Sequence, residues 1–377
     1  MSAPGQDPPP DRKILGEGGV ATDNRPRRDW KPISDRKIRV GIVGYGVCQF
    51  GAAFGFQDHP NVTVAAVSDL FPDRRAALAK SCRCEKTYDS LEELVKDDTI
   101  EAVFVATDAP SHAQHCIEVL KHGKDVACAV PAVFGNVEDA YRLQEALKSS
   151  GKTYMLFETS AFHADCHAMR QVYRAGGFGK LVYSEGEYLH WSPEQIPSYK
   201  DWRVGLPPQW YPTHATGYYC AVTGGSFTEV TCLGMPSKIP SLQPSANRYQ
   251  NPYGTEVALF RTGEGGMSRM TMSWDTFVPG QEAGRVYGQR GFMVGMNYSG
   301  EEKKLPDLER PPLPPKVNPG GHGGSHGHLT NEFVTALLEK RKPLVDLAMA
   351  LNLTVPGVIA HQSALKNGET LKVPQFT

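Results

Sequence analysis

From Ile38 onward the apolar positions follow two alternating periods. Ile38-Arg39-Val40-Gly41-Ile42-Val43 is a short apolar run of buried-strand type, and runs at 62–67, 102–106, 125–128 and 153–157 repeat it. The stretches between them have helical signals. Ser90 with Glu93 reads as a capping box ahead of Leu91, Leu94 and Val95. Ser111 with Gln114 reads the same way ahead of Ala113, Cys116, Ile117 and Leu120, which share one helical face. Gly123 is placed to close that helix in the left-handed conformation; Asn136 opens the next helix and Gly151 ends it. Strand–helix alternation of this kind predicts an α/β domain over 36–157, with a parallel sheet covered on both faces.

The texture changes after Phe157. Segments 180–191, 227–233, 254–260, 266–274 and 284–296 read as strands, several of them alternating, as in Thr228-Glu229-Val230-Thr231-Cys232-Leu233. Residues 158–377 are therefore expected to form an α+β domain with a large, mostly antiparallel open sheet, covered on one face. Residues 300–327 are rich in Pro, Gly and His, and a loop of that length in a compact domain points to function or disorder. Helices are expected near 329–340 and 345–365. Residues 1–35 hold Pro8-Pro9-Pro10 and several glycines and arginines without an apolar period, as in an extended or disordered tail.

Composition narrows the partners. The 377 residues hold 40 Lys and Arg against 41 Asp and Glu, a net charge of -1. That balance gives no reason to expect nucleic acid or an anionic membrane as a partner. No apolar run approaches the ~20 residues of a membrane-spanning helix. The N-terminus lacks an apolar secretory core, and Arg27-Arg28 leads into Asp29-Trp30-Lys31-Pro32, unlike a twin-arginine export signal. The eight cysteines are scattered, with Cys82-Arg83-Cys84 too tight for a zinc knuckle and no Cys-x-x-Cys pair, as expected of reduced thiols in a cytoplasmic protein. His322, His326 and His328 raise the question of a metal. Glycine among them removes rigid helical geometry and no carboxylate or cysteine lies nearby in sequence, so a flexible substrate loop is the preferred reading and no metal is expected.

Gly44-Tyr45-Gly46-Val47 follows the first strand directly. A turn there brings backbone amides against a pyrophosphate, and the next helix is expected to aim its positive end at the phosphates. This makes the first domain a Rossmann-type dinucleotide site. Gln49 stands where the usual third glycine belongs, with Gly51 two residues on as the candidate for close helix–strand contact. Asp69 ends the second strand about 25 residues after Gly44, where an acid takes the adenosine ribose hydroxyls; a helix N-cap is its plainer role. A carboxylate there favours NAD over NADP, and Arg74 and Arg75 soften that preference.

With Thr107, His112, Pro131 and His214 added, the chain resembles the glucose–fructose oxidoreductase / inositol dehydrogenase / MocA (Gfo/Idh/MocA) family over about residues 36–377. The carriers are Val67-Ser68-Asp69 with Arg74, Ala106-Thr107-Asp108-Ala109-Pro110-Ser111-His112, the stretch from Gly123-Lys124-Asp125-Val126 to Pro131, Phe178-Gly179-Lys180-Leu181, and His214 with Gly224. Trp202-Arg203, Tyr211-Pro212-Thr213-His214 and Gly320-Gly321-His322-Gly323-Gly324 resemble the family's NAD-dependent α-N-acetylgalactosaminidase branch. The resemblance implies that NAD accepts a hydride from a secondary carbinol and that His214, with Tyr211 as second candidate, exchanges the hydroxyl proton. It implies a cofactor site of Gly44, Tyr45, Gly46, Val47, Asp69, Arg74, Thr107, Asp108, His112 and Ala129. Glu158 falls where the family often has a cofactor-facing Asn, either to bind the nicotinamide ribose or to hold His214. Tyr188, His190, Trp202, Arg203 and His322 form the polar-aromatic set expected to bind a sugar. The family's Glu-Lys-Pro is here Ala129-Val130-Pro131, so Val130 replaces the proton-handling lysine, and Trp210 replaces an aspartate. Three readings follow: an NAD-dependent oxidoreductase of a sugar, glycoside or cyclitol; a redox-neutral glycoside hydrolase; and a non-catalytic NAD-binding regulator. The broad sheet is the expected surface of a homodimer or homotetramer.

Overall fold

The computed structural model describes residues 29–278 and 280–377. The tail expected over residues 1–35 lies outside the described residues up to residue 28, and 29–35 carry no helix or strand.

The first domain runs β1 (Ile38–Val43), α1 (Phe50–Ala53), β2 (Val62–Ser68), α2 (Pro72–Cys82), β3 (Thr87–Tyr88), α3 (Leu91–Leu94), β4 (Ala102–Val105), α4 (His112–Lys121), β5 (Asp125–Ala129), α5 (Glu138–Ser150) and β6 (Tyr154–Phe157). Its six strands are parallel, in the order β3-β2-β1-β4-β5-β6. Strands with no polar face need cover on both sides, and β4 and β6 are buried along their whole length. Ser90 caps α3 as its spacing predicts, accepting from the Glu93 N–H at 3.3 Å. Ser111 does not cap α4. A short 3-10 turn at Ala109–Ser111 precedes the helix, and the Ser111 hydroxyl donates to Asp108 at 2.8 Å instead.

The second domain continues with α6 (Ala164–Arg174), β7 (Leu181–Leu189), α7 (Thr213–Thr223), β8 (Phe227–Pro236), β9 (Tyr253–Thr262), β10 (Met267–Ser273), β11 (Gln281–Gly288), β12 (Gly291–Val294), β13 (Asn297–Gly300), α8 (His326–Glu339), α9 (Leu347–Leu365) and β14 (Leu371–Lys372). They build one eight-stranded sheet, β13-β12-β11-β7-β10-β9-β8-β14. Only the β7–β10 pairing is parallel. The stretch expected as one strand over 284–296 is a hairpin of β11 and β12, broken at the Gln289-Arg290 turn.

Two features position the site. First, α7 lies in a trough of the sheet made by a paired Gly186 and Gly284. A Cβ on Gly186 would stand 2.1 Å from the Ala215 carbonyl oxygen, and one on Gly284 would stand 2.0 Å from the Tyr218 ring. Removing both side chains lets the helix that carries His214 press directly on β7 and β11. Second, the last helices fold back on the first domain. The Leu156 N–H donates to the Val345 carbonyl at 3.0 Å, and the Thr330 hydroxyl donates to the Phe54 carbonyl at 2.7 Å. Phe333 packs edge-on against Phe56 and Phe157 at 6.3 and 6.1 Å.

Gly186→Ala forces a backbone clash that no rotamer change relieves. It is expected to cost about 1–3 kcal/mol, read as a lower urea midpoint with an unchanged m-value.

Candidate active site

The turn after β1 needs glycine at two points. Gly44 has φ +95°, and a Cβ there would lie 2.4 Å from the Ala106 carbonyl oxygen. Gly46 has φ +59° and faces open cleft. Beneath the turn, a Cβ on Gly51 would meet the Gly44 carbonyl oxygen at 2.3 Å, the close contact that a third glycine normally allows. Gln49 adopts a left-handed φ of 56° just before α1. That helix is a single turn, so the turn's own amides stand in for the helix end expected to face the phosphates. The N–H groups of Gly46, Val47 and Cys48 make no hydrogen bond among the described residues, which leaves a nest of donors suited to a pyrophosphate.

Asp69 closes this turn against β2. Its Oδ2 accepts from the Tyr45 N–H at 2.8 Å and its Oδ1 from the Phe71 N–H at 3.0 Å. The N-cap of α2 is Phe71, so Asp69 is not a helix cap. Arg75 is committed to Asp89 at 2.6 Å and to the Asp69 carbonyl, while Arg74 lies over the Phe71 ring at the cleft wall. Thr107 and Asp108 line the same cleft of about 320 Å³. The second domain contributes Tyr199, Trp202 and Arg203, with the Arg203 guanidinium 4.2 Å over Trp202. Trp202 and Arg203, expected among the sugar-binding residues, thus stand over the cofactor cleft.

His112 and Ala129 do not line the cleft. His112 is buried, its Nδ1 2.9 Å from the Pro131 carbonyl oxygen and its Nε2 3.2 Å from that of Thr107. Burial alone would lower its proton affinity, but the facing Cys128 sulfur and the Pro131 carbonyl raise it. Its place is to tie two cofactor loops together. His115, not singled out in the sequence, faces the cleft and holds the Thr107 hydroxyl at 2.8 Å.

At the inner end of the cleft the Phe50 ring lies 6.2 Å from His322, and His322 lies 5.9 Å from His214 in a nearly parallel stack. His214, at the start of α7, directs Nδ1 at the Glu158 Oε1 (3.0 Å) and the Thr159 hydroxyl (3.1 Å). Its Nε2 has no partner among the described residues. Glu158 is fully buried and also accepts from the Ser160 N–H, so it holds His214 and is not exposed to a ribose. Tyr188 packs edge-on against His214 at 4.7 Å.

Glu282 on β11 was invisible in the sequence. Three histidines surround it: His322 Nδ1 at 2.6 Å, His163 Nε2 at 3.2 Å and His214 Nδ1 at 4.0 Å. Strand alternation marks 282 as an inward position but not as a member of this cluster. Burial alone would lower the proton affinity of His214, yet Glu158 and then Glu282 raise its pKa to about 9. Burial would likewise raise Glu282, but the His214 charge and the bonds from His163 and His322 hold it well below the carboxylate range. Tyr211 moves the other way from what proton exchange requires. Burial pushes it up to about 12, and its hydroxyl donates to the Val130 carbonyl at 3.2 Å. Tyr211 therefore anchors the Val130 segment, and its raised pKa runs against the proton exchange expected of it. His326 turns away to the Ala53 carbonyl, and among the described residues no three His, Cys, Asp or Glu side chains are arranged to hold a metal ion. All eight cysteines are free.

Residues 38–158 match the family model described as an oxidoreductase family with an NAD-binding Rossmann fold, GFO_IDH_MocA. The match covers the first domain, about a third of the chain, and makes that domain similar to the Gfo/Idh/MocA oxidoreductases. A glycosyl hydrolase family 109 protein of Bacteroides fragilis is 27% identical over 197 residues, 48% of this chain and 42% of that protein, so the match spans under half of this relative's length. Another from Solibacter usitatus is 23% identical over 388 residues, 90% of this chain and 88% of that one. Among solved structures, a levoglucosan dehydrogenase in complex with NADH superimposes with a TM-score of 0.73 at 16% identity, over 90% of this chain and 100% of that one. A scyllo-inositol dehydrogenase from Lactobacillus casei with bound NAD(H) and scyllo-inositol gives 0.70 at 16%, over 89% and 99%. These two likenesses show that the two-domain fold of those dehydrogenases extends through the second domain.

An NAD-binding Gfo/Idh/MocA domain fits the unpaired amides of the turn and the adjoining acid. Asp69→Ala is expected to weaken NAD binding by ~1–2 kcal/mol, a roughly five- to thirty-fold rise in Kd by calorimetry. An unchanged Kd would remove Asp69 from the site. The electrostatics of the cluster set a pH window. His214, raised above its ordinary 6.5, contributes stability that is complete below that value and is lost as pH rises through about 9. Glu282, depressed from 4.5, contributes above that value and loses it as pH falls. Glu282→Gln removes one of the two charges that raise His214 and is expected to lower its midpoint by ~1 unit in an NMR titration; a midpoint that stays at about 9 would refute the coupling.

Proposed function

We propose that this chain is an NAD-dependent oxidoreductase of a secondary alcohol on a sugar, glycoside or cyclitol. One observation carries the reading. His214 is held at Nδ1 by a buried carboxylate, its Nε2 has no partner among the described residues, and the Tyr188 ring packs edge-on against it. A base oriented by an acid through its other nitrogen is the arrangement that proton transfer from a hydroxyl requires. A nicotinamide bound in the cleft would supply the hydride acceptor. His214 accepts the carbinol proton at Nε2, and the resulting imidazolium is stabilised by Glu158 and Glu282, which act as positioning residues. His214 is protonated at neutral pH in the unliganded protein, so oxidation is expected to quicken toward pH 9 and the reverse reduction to be favoured near neutrality.

The substrate class is supported by the walls. Tyr188 has no hydrogen-bond partner for its hydroxyl among the described residues, and it lies 6.3 Å from the stacked Tyr211. Flat aromatic faces beside His322 suit a ring that is apolar on its faces and polar on its rim. Val130 favours a second reading, redox-neutral glycoside hydrolysis by transient oxidation, elimination, water addition and return of the hydride, and the family 109 relatives are named for glycosyl hydrolysis. A non-catalytic NAD-binding regulator fits the intact Glu158–His214 pair least well.

Homodimer or homotetramer formation is part of the proposal. The sheet face opposite α7 exposes Leu233, Val257, Leu259 and Met267, an apolar patch of the kind that pairs. A cytoplasmic location without nucleic-acid or membrane partners is part of the same reading; the net charge of -1 gives no electrostatic reason for either partner, and no helix among the described residues is long and apolar enough to cross a membrane.

The test incubates the protein with NAD and a panel of sugars, cyclitols and nitrophenyl glycosides. Accumulating NADH supports the oxidoreductase, nitrophenol without net NADH supports the hydrolase, and neither with NAD binding retained leaves the regulator. His214→Ala is expected to lower turnover by at least ~100-fold; full turnover would overturn the assignment.

A further inference from the structure

Beside the loop that carries His322, a cavity of about 450 Å³ opens between α6 and α8. Five permanent cations line it, Arg170, Arg174, Arg310, Arg341 and Lys342, against the single carboxylate of Glu332. That carboxylate is already used. It takes both Arg341 nitrogens at 2.7 and 2.8 Å and the Leu344 N–H at 2.8 Å. Four cations therefore remain for a chain whose overall charge is -1, so the excess is local.

The partners they have are backbone carbonyls, the His167 imidazole at 3.4 Å from the Arg170 Nη2 and, for Lys342 alone, a carboxylate. Arg170 is buried and donates Nη1 to the Ala161 and Ala221 carbonyls, with no carboxylate within 4 Å among the described residues. Arg310 donates Nη1 to the carbonyls of Phe162, Gly323 and Gly324, which leaves Nε and Nη2 unbonded among the described residues. Arg174 makes no ion pair or hydrogen bond there. Lys342 reaches only Asp346, at 3.6 Å from an exposed position. The field is felt by two imidazoles in the wall. Burial, then Arg170, pushes His167 down to about 3, and burial, then Arg310, pushes His328 down to about 4.

A buried guanidinium without a counter-charge is costly, and an anion offsets that cost. Planar guanidinium forks match the oxygens of a phosphate, and a cavity of this volume takes a small molecule. We propose that this cavity binds the phosphate group of a small molecule, separately from the cofactor cleft. Arg310 would touch that ligand while pinning Gly323 and Gly324, so the site sits one side chain from the His322 loop.

The test titrates inorganic phosphate, inorganic pyrophosphate and glucose 6-phosphate calorimetrically into the full chain in excess NAD, which keeps the cofactor cleft from competing. Saturable one-to-one binding of at least one of them is expected, weakened tenfold or more in Arg174→Glu and in Lys342→Glu, with the NAD titration unchanged. Tighter binding of the sugar phosphate would identify an esterified ligand; equal binding would identify the free anion. Absence of saturable binding for all three overturns the proposal. So does binding that survives Arg174→Glu, or a changed oligomeric state in that variant without anion binding to the unsubstituted protein, which would make this face a subunit contact. No arm requires catalytic activity.

Discussion

A carboxylate with no exposed surface, Glu158, meets the imidazole of His214 at 3.0 Å, and the site is organised around that contact. Glu158 follows the last strand of the first domain and His214 opens the helix that lies on the sheet of the second. A buried charge is tolerable only when it is paired and hydrogen-bonded. The pair therefore constrains both domains at their junction, and Ser160, Thr159 and Glu282 complete its polar shell. The same contact that holds the domains in register leaves Nε2 without a partner among the described residues and raises the proton affinity of the ring.

The cofactor end relies on a different device. There the carboxylate of Asp69 is bonded to backbone amides on both oxygens and staples the glycine turn to β2. The turn tolerates Gln49 because Gly51 supplies the close approach, and because Gln49 itself takes the left-handed conformation at a strain of roughly 1–2 kcal/mol. At Val130, the lost lysine is not replaced by another titratable group at that position. Tyr211 donates to the Val130 carbonyl and burial raises its pKa to about 12, whereas His214 lies between two carboxylates that raise its own.

Much of this was legible along the chain. The parallel sheet, its order of strands and helices, the glycine turn, Asp69 and His214 could be read because each depends on local spacing: two-residue and 3.6-residue periods, a turn with no room for side chains, a motif with fixed offsets. The Ser111 capping box failed because a 3-10 turn set by Pro110 puts the hydroxyl on Asp108. His112 was read as facing the cofactor, but the fold turns its ring toward two carbonyls and leaves His115 at the cleft.

The amino-acid sequence by itself determined that a dinucleotide turn precedes an alternating α/β domain, that a mostly antiparallel sheet follows, and that His214 stands at a helix start. Only the tertiary structure decided what His214 is. Glu282 lies 68 residues further along the chain, on a strand whose alternation says only which way its side chain points. It reaches His163, His214 and His322 because the Gly186–Gly284 trough lets α7 sit on the sheet and because the glycine loop folds back over it. Electrostatic coupling depends on distance in space, and periodicity along a chain reports only which face a residue takes.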